Sequence, residues 1–178
     1  MSVYVPRLSV DGVYLSRYYY GDNIFYKSGL GLPNCTCYAW GRIYEISDVY
    51  PSLLPLGDAG TWYPSAISAG KLSVGSAPRL GAIACYASTI GGAGHVAIVE
   101  QINIDGSFII SQSGYYRPIS DYPPDTPNYF YINECDRNTK LTPWMNTYTF
   151  QGFIYNPYMP TPTHIRKKMP LWMYMRHF

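Results

Sequence analysis

Apolar and polar positions are most regularly patterned at HVAIVEQI, His95 to Ile102, which reads as an alternating strand. Asn103-Ile104-Asp105-Gly106 then supplies turn residues, and SFIISQS returns as its antiparallel partner. LGAIACYA, Leu80 to Ala87, reads as a strand introduced by Ser76-Ala77-Pro78, and TFQGFIYNP, Thr149 to Pro157, as a closing strand. Upstream the period changes. From Cys35 to about Ser47 the residues Tyr38, Ala39, Trp40, Ile43, Tyr44 and Ile46 make a helical stripe. Pro33-Asn34 breaks the chain and offers a capping side chain before it, and the helix must end before Pro51. Leu53 to Ala66 reads as a turn and a short helix around Trp62. Residues 1–34 look irregular, and residues 114–143 form a Tyr/Pro-rich excursion without a clear element. A helix followed by several antiparallel strands predicts an α+β fold.

The texture changes after Pro157: YMPTPTH is a proline-rich linker, and IRKKMPLWMYMRHF is basic and rich in Met and aromatic residues. The expected organisation is one domain over 1–156 and a tail over 157–178, where Pro170 argues against a single continuous helix. Charged residues make up only 13% of the 178, while Tyr occurs 20 times, which excludes a disordered chain. A surface of Tyr, Ser, Thr, Asn and Gly suits a secreted or particle-borne protein. A net charge of +2, with no basic run before residue 166, argues against nucleic acid. No apolar stretch is long enough for a spanning helix, and MSVYVPRLSVDG has no signal-peptide pattern. Action outside a cell would then need another route out.

The four cysteines, Cys35, Cys37, Cys85 and Cys135, are too few and scattered for a disulfide scaffold. No second close Cys or His pair accompanies Cys35 and Cys37, so no metal site is expected. Nucleophilic catalysis is the sharper alternative. Cys35 falls at a helix start, where unpaired N–H groups and the helix dipole favour a thiolate. His164 and His177 lie beyond the linker, which leaves His95 as the only base of that type in the domain body. It opens a strand just after the Gly-rich STIGGAG. With a four-residue turn, Gln112 falls opposite Ala97, on the face of His95 and diagonal to it. Gln112 is therefore the candidate that orients the imidazole. A cysteine on an aromatic helix is also an ordinary core residue, and a histidine at a strand start an ordinary structural one. Spacing alone leaves both readings open.

Five motifs in order resemble one family, the CHAP domain (cysteine, histidine-dependent amidohydrolase/peptidase). They are Asn34-Cys35-Thr36-Cys37-Tyr38, Gly57-Asp58-Ala59 with Trp62, Pro78 to Ala84, Gly94 to Glu100, and Gly152 to Ile154. LPNCTCYAWGR together with GDAGTWY looks most like lysin domains of phages that infect Gram-positive bacteria. The resemblance implies a papain-like fold, with the N-terminal helix carrying the cysteine packed on an antiparallel sheet. It implies hydrolysis of a peptidoglycan amide, either by an N-acetylmuramoyl-L-alanine amidase or by a peptide-bridge endopeptidase. Cys35 matches the nucleophile and His95 the general base and acid. Gln112 stands at the family's third position, where Glu or Asn is common, and Gly114 stands where relatives often have a second Asn. Asn34 is a candidate oxyanion donor beside the Cys35 N–H. Trp62 and Tyr115 are candidates either for a substrate groove or for packing. Cys37, where relatives carry Trp, reads as packing. Asp22 alone in GDNIFYKSGLGLPN cannot supply the oxygens some relatives use for calcium, so no cofactor is expected.

The implied partners are peptidoglycan and, through the C-terminal tail, a phage virion or holin system. The implied route is synthesis in the host cytoplasm followed by action on the wall. Two other classes share these residues: a phage-particle structural or adhesion protein that binds wall without cutting it, and a cysteine-dependent acyltransferase or toxin.

Overall fold

The structure is a computed structural model and describes residues 4–9, 17–114 and 130–159. A π-helical turn at Arg17–Gly21 leads to α1 (Ile24–Lys27) and α2 (Cys35–Ser47). A 3-10 turn at Ala59–Thr61 runs into α3 (Trp62–Ala69). The strands are β1 (Val74–Gly75), β2 (Ile83–Ser88), β3 (His95–Ile102), β4 (Phe108–Gln112), β5 (Tyr131–Cys135) and β6 (Tyr148–Ile154). They form one sheet in the order β1-β6-β2-β3-β4-β5, antiparallel throughout. The α+β arrangement expected from the sequence is present, with the cysteine-bearing helix packed on the sheet.

Helix α2 begins where its cap dictates. Asn34 Oδ1 accepts the Cys37 N–H at 2.9 Å and the Thr36 hydroxyl at 2.7 Å, which satisfies one of the orphan donors of the first turn. The helix ends at Asp48 in the left-handed conformation, φ 56°, whose N–H bonds to Tyr44 O. Between these caps α2 is buried on nearly every side, as a central helix must be. One side rests on Ile83, Cys85, Val96 and Ile98 of the sheet. Another takes the turn at Arg17–Gly21, so closely that a Cβ on Gly41 would stand 2.6 Å from the Tyr19 ring. The far face of the sheet carries a second core around Ala84, Tyr86, Val99, Ile110 and Phe153. Both faces are therefore covered.

Two features depart from the sequence pattern. The β3–β4 connection spans residues 103–107, closed by Asn103 N–H to Ser107 O at 2.8 Å, one residue longer than the expected four-residue turn. Alone, that would shift β4 by one and turn Gln112 to the opposite face. A β-bulge at Glu100 absorbs the extra residue. Ile102 pairs with Phe108 and Gln101 with Ile109, but Val99 pairs with Ile110 and Ile98 with Ser111. Continued one step, this register sets Gln112 across from Ala97, as expected. The second departure is β5, inside the stretch read as an excursion. It is an edge strand with one fully buried side chain, Cys135, and so lacks the alternation that marks a half-buried strand. The tail beyond residue 159 lies outside the described residues.

Candidate active site

Three chain segments bring the reactive groups to a cleft of about 460 Å³, whose walls include Asn34, Cys35, Asp58 and His95, with Trp144 and Tyr148 added by a fourth, residues 144–148. The first segment is the N-terminus of α2, which presents Cys35. The second is the Gly-rich connection into β3, which presents His95. The third is the 57–60 turn, held to that connection by Gly60 N–H to Ala93 O at 2.7 Å. Gly94 makes the junction possible. It adopts φ +75°, and a Cβ there would sit 2.5 Å from Gly60 backbone atoms and 2.6 Å from Tyr86 O. Two separate Gly-containing motifs thus meet backbone to backbone beside the thiol.

His95 is buried, and its Nε2 lies 2.7 Å from Gln112 Oε1. A carboxamide oxygen only accepts, so Nε2 carries the proton and Nδ1 is left as the basic ring nitrogen. The other end of the Gln112 amide is also fixed, because Nε2 donates to Asn133 Oδ1 at 2.7 Å. Aromatic rings enclose the imidazole. Trp144 stands edge-on at 5.7 Å between centroids, with Tyr148 at 6.0 Å and Tyr86 at 6.1 Å. Burial in this box pushes the imidazole pKa down to about 4, and the Gln112 hydrogen bond opposes that only in part.

Burial likewise pushes the Cys35 thiol up, to about 11. The backbone N–H groups of Val96, Thr36 and Cys35 itself pull the other way, while the Asp58 carboxylate adds to the rise. Val96 follows His95 directly, so the sulfur sits against the start of β3. No hydrogen bond joins Cys35 Sγ to His95 among the described residues. At neutral pH the two groups are a thiol and an imidazole, both uncharged. Proton transfer from sulfur to ring must then accompany attack on a substrate rather than precede it.

The expected site residues divide as follows. Cys35, His95 and Asn34 line one cleft, and Gln112 holds His95 from behind. Asn34 spends its Oδ1 on the helix cap, so only its Nδ2 end can donate into the cleft. Trp62 is corrected from groove to core. It is fully buried, tilted against Phe25 at 5.8 Å, with its Nε1–H donated to Gly57 O at 3.2 Å. Tyr115 lies outside the described residues. Cys37 is fully buried with its Sγ 3.6 Å from Tyr19 O, and burial raises its thiol to about 12. All four cysteines are free. Sequence reasoning missed Asn133, which lies in the 114–143 stretch, and Trp144 and Tyr148, which fall between that stretch and the closing strand expected from Thr149. It also gave Asp58 no role, although GDAG already marked the turn that carries it. Among the described residues no group of His, Cys, Asp or Glu is arranged to hold a metal, and no helix is long and apolar enough to cross a membrane.

The sequence is similar to that of several known proteins. The chain is 35% identical over 86 residues to the "Secreted 45 kDa protein" of Lactococcus lactis subsp. cremoris, a match covering 46% of this chain and 18% of that protein. It is 33% identical over 108 residues to the staphylococcal secretory antigen SsaA of Staphylococcus aureus, covering 60% and 37%. The "Probable autolysin LDP" of the same species matches at 35% over 82 residues, covering 46% and 28%. The chain thus spans well under half the length of these curated relatives. Among solved structures, an N-acetylmuramoyl-L-alanine amidase from Staphylococcus aureus aligns over 66% of this chain and 30% of its own, at 21% identity and a TM-score of 0.42. The CHAP domain family model matches residues 25–114, half of the chain, from α1 to just past the strand that ends at Gln112. The chain belongs to the CHAP domain family.

Proposed function

We propose that this protein is a peptidoglycan hydrolase that cleaves an amide bond of the bacterial cell wall, with Cys35 as nucleophile and His95 as general base and acid. One observation carries the reading: the only cysteine on the cleft wall lies at a helix N-terminus, and it shares that cleft with a histidine whose Nε2 is held by Gln112. The Cys35 Sγ attacks the carbonyl carbon as its proton passes to His95 Nδ1. The Cys35 N–H and Asn34 Nδ2 receive the developing oxyanion. The C–N bond breaks, and the leaving amine takes the proton from Nδ1. Water then gives a proton to Nδ1 and attacks the thioester, releasing the carboxylic acid and restoring the thiol. His95 supplies both proton transfers. Gln112 keeps the ring in the tautomer that makes them possible.

The wall as substrate is supported by family membership and by the resemblance to a protein named as an autolysin. The finer reading is a phage or prophage lysin, delivered through a holin system or on a virion by way of the tail. LPNCTCYAWGR and GDAGTWY support it.

Turbidity loss of purified Gram-positive sacculi tests the proposal, with fragment masses read in parallel. Wild type should clear the suspension, and Cys35→Ala and His95→Ala should each lose at least about a thousandfold while staying folded. A new muramic-acid end would identify an amidase, and a new bridge amine an endopeptidase. Clearing by Cys35→Ala at the wild-type rate would overturn the nucleophile assignment. Wall binding by wild type with no new ends would replace hydrolysis with adhesion.

A further inference from the structure

We propose that Asn133, from the edge strand β5, is a positioning residue that selects the orientation of the Gln112 amide and, through it, the tautomer of His95. The inference rests on the reading of His95 as general base and adds a member to its support that lies on a different strand.

A glutamine is an ambiguous partner for an imidazole. Its two ends have nearly the same shape, and a half-turn about the last side-chain bond exchanges an acceptor for a donor. With Oε1 toward the ring, His95 Nε2 holds the proton and Nδ1 is free to accept from sulfur. With the amide reversed, its NH₂ would donate to Nε2, the ring proton would move to Nδ1, and the base would be blocked. A carboxylate at this position has no such second state. A chain that places Gln112 there needs something to choose between the two.

The structure supplies that choice. Register pairs Gln112 with Tyr131, so Asn133 is its diagonal neighbour on the same face of the sheet. Asn133 Oδ1 accepts from Gln112 Nε2 at 2.7 Å while Gln112 Oε1 faces His95 Nε2 at 2.7 Å. With Asn133 Oδ1 turned to Gln112, the reversed amide would set two acceptor oxygens against each other, so Gln112 can reverse only if Asn133 turns with it. Gln112 is fully buried, so no water competes for either end. Gly114, the other position from which a polar helper could come, has no side chain.

Three variants separate positioning from packing: Asn133→Leu, similar in size without an acceptor, Asn133→Asp, an acceptor that cannot donate, and Asn133→Ala. The first readout is the ¹⁵N spectrum of the His95 ring, which needs no substrate. Wild type and Asn133→Asp should show one neutral tautomer protonated at Nε2, and Asn133→Leu and Asn133→Ala a mixture. The second is turnover on sacculi. Asn133→Leu should lose about tenfold in kcat, the worth of one buried hydrogen bond, with KM unchanged, while Asn133→Asp stays within about twofold of wild type. A single Nε2–H tautomer in Asn133→Leu would overturn the proposal, as would equal kcat losses in the Asp and Leu variants. If wild type does not cut the wall, the functional reading falls, and the ring spectra still decide the role of Asn133.

Discussion

Helix α2 and strand β3 meet at two places, and the two differ in kind. Where they begin, Cys35 and His95 face one cleft, both neutral, with burial as the largest influence on each. Further along the same two elements, Arg42 and Glu100 are equally buried and both charged. Arg42 Nε donates to Glu100 Oε1 at 2.8 Å and Nη2 to Oε2 at 2.9 Å, a bidentate pair. Ser111 Oγ donates to Oε1 at 2.6 Å, and the Tyr4 hydroxyl and the Arg7 N–H reach Oε2 at 2.7 and 2.9 Å. Glu100 Oε1 thus accepts two hydrogen bonds and Oε2 three. Burial pushes the Glu100 pKa up, but the Arg42 hydrogen bond and charge, helped by Ser111 and the Arg7 N–H, outweigh it and hold the pKa below the ordinary value. Burial alone does not settle the charge of a group: the donors and the opposite charge that meet it decide. The cleft end meets backbone and amide groups but no opposite charge, which suits groups that must exchange a proton. The closed end sets a guanidinium against the carboxylate, which suits groups that must not.

Breaking the closed end should have the largest effect. Glu100→Ala strips the buried Arg42 guanidinium of its bidentate carboxylate and leaves it a single carboxylate contact, Glu45 Oε2 at 3.1 Å, and should destabilise the fold by about 3 kcal/mol, or roughly 10 °C in Tm. Cys35→Ala orphans no charge and should stay within about 1 kcal/mol of wild type. Thermal melts of the two variants check the contrast. Equal Tm losses would mean that the two meeting points are not different in kind.

Acid should separate the two ends along the pH axis. The folded His95 pKa, about 4, lies below the ordinary 6.5, so the unfolded chain takes its proton first as pH falls. Stability is complete above pH 6.5, declines between 6.5 and about 4 by up to about 3 kcal/mol, and gains no further slope from His95 below that. Glu100 also has a lowered pKa, so its share is lost only below the ordinary carboxylate value of 4.5. Urea melts across pH should show both losses. His95→Gln should flatten the upper one and Glu100→Gln the lower.

Smaller changes sharpen the cleft end. Gln112→Glu puts a carboxylate beside Nε2 and should move the acidic limb of the activity profile up by about one pH unit. Asp58→Asn removes the one carboxylate that raises the Cys35 thiol. Asp58 is solvent-exposed, so salt screens it, and thiol alkylation should speed up by only about twofold at low ionic strength.

How much of this was legible beforehand follows from the physics of each element. Cys35–Ser47 and His95–Ile102 were readable because period and caps agree there. The relation of Gln112 to His95 came from strand parity, yet it depends on two features the sequence did not reveal, a longer turn and the bulge at Glu100. β5 was illegible because an edge strand with half-exposed residues has no burial pattern to impose on its sequence. Asn133 went unseen with it. Trp62 shows the converse. An aromatic residue beside a Gly-rich turn suits a groove or a core equally well, and only packing against Phe25 decides. The Arg42–Glu100 pair was hidden because a charge on a helix and another on a strand carry no mark of facing each other.

The contrast between the two ends is tested most directly by alkylating the native protein with iodoacetamide from pH 4 to 11 and locating the modified cysteine by mass. Cys35 should react first, being 9% exposed where the other three cysteines are fully buried, and its rate should climb toward about pH 11 with no plateau near neutrality. A constant fast rate from pH 5 upward would mean a thiolate–imidazolium pair in the resting protein, and would contradict a neutral cleft.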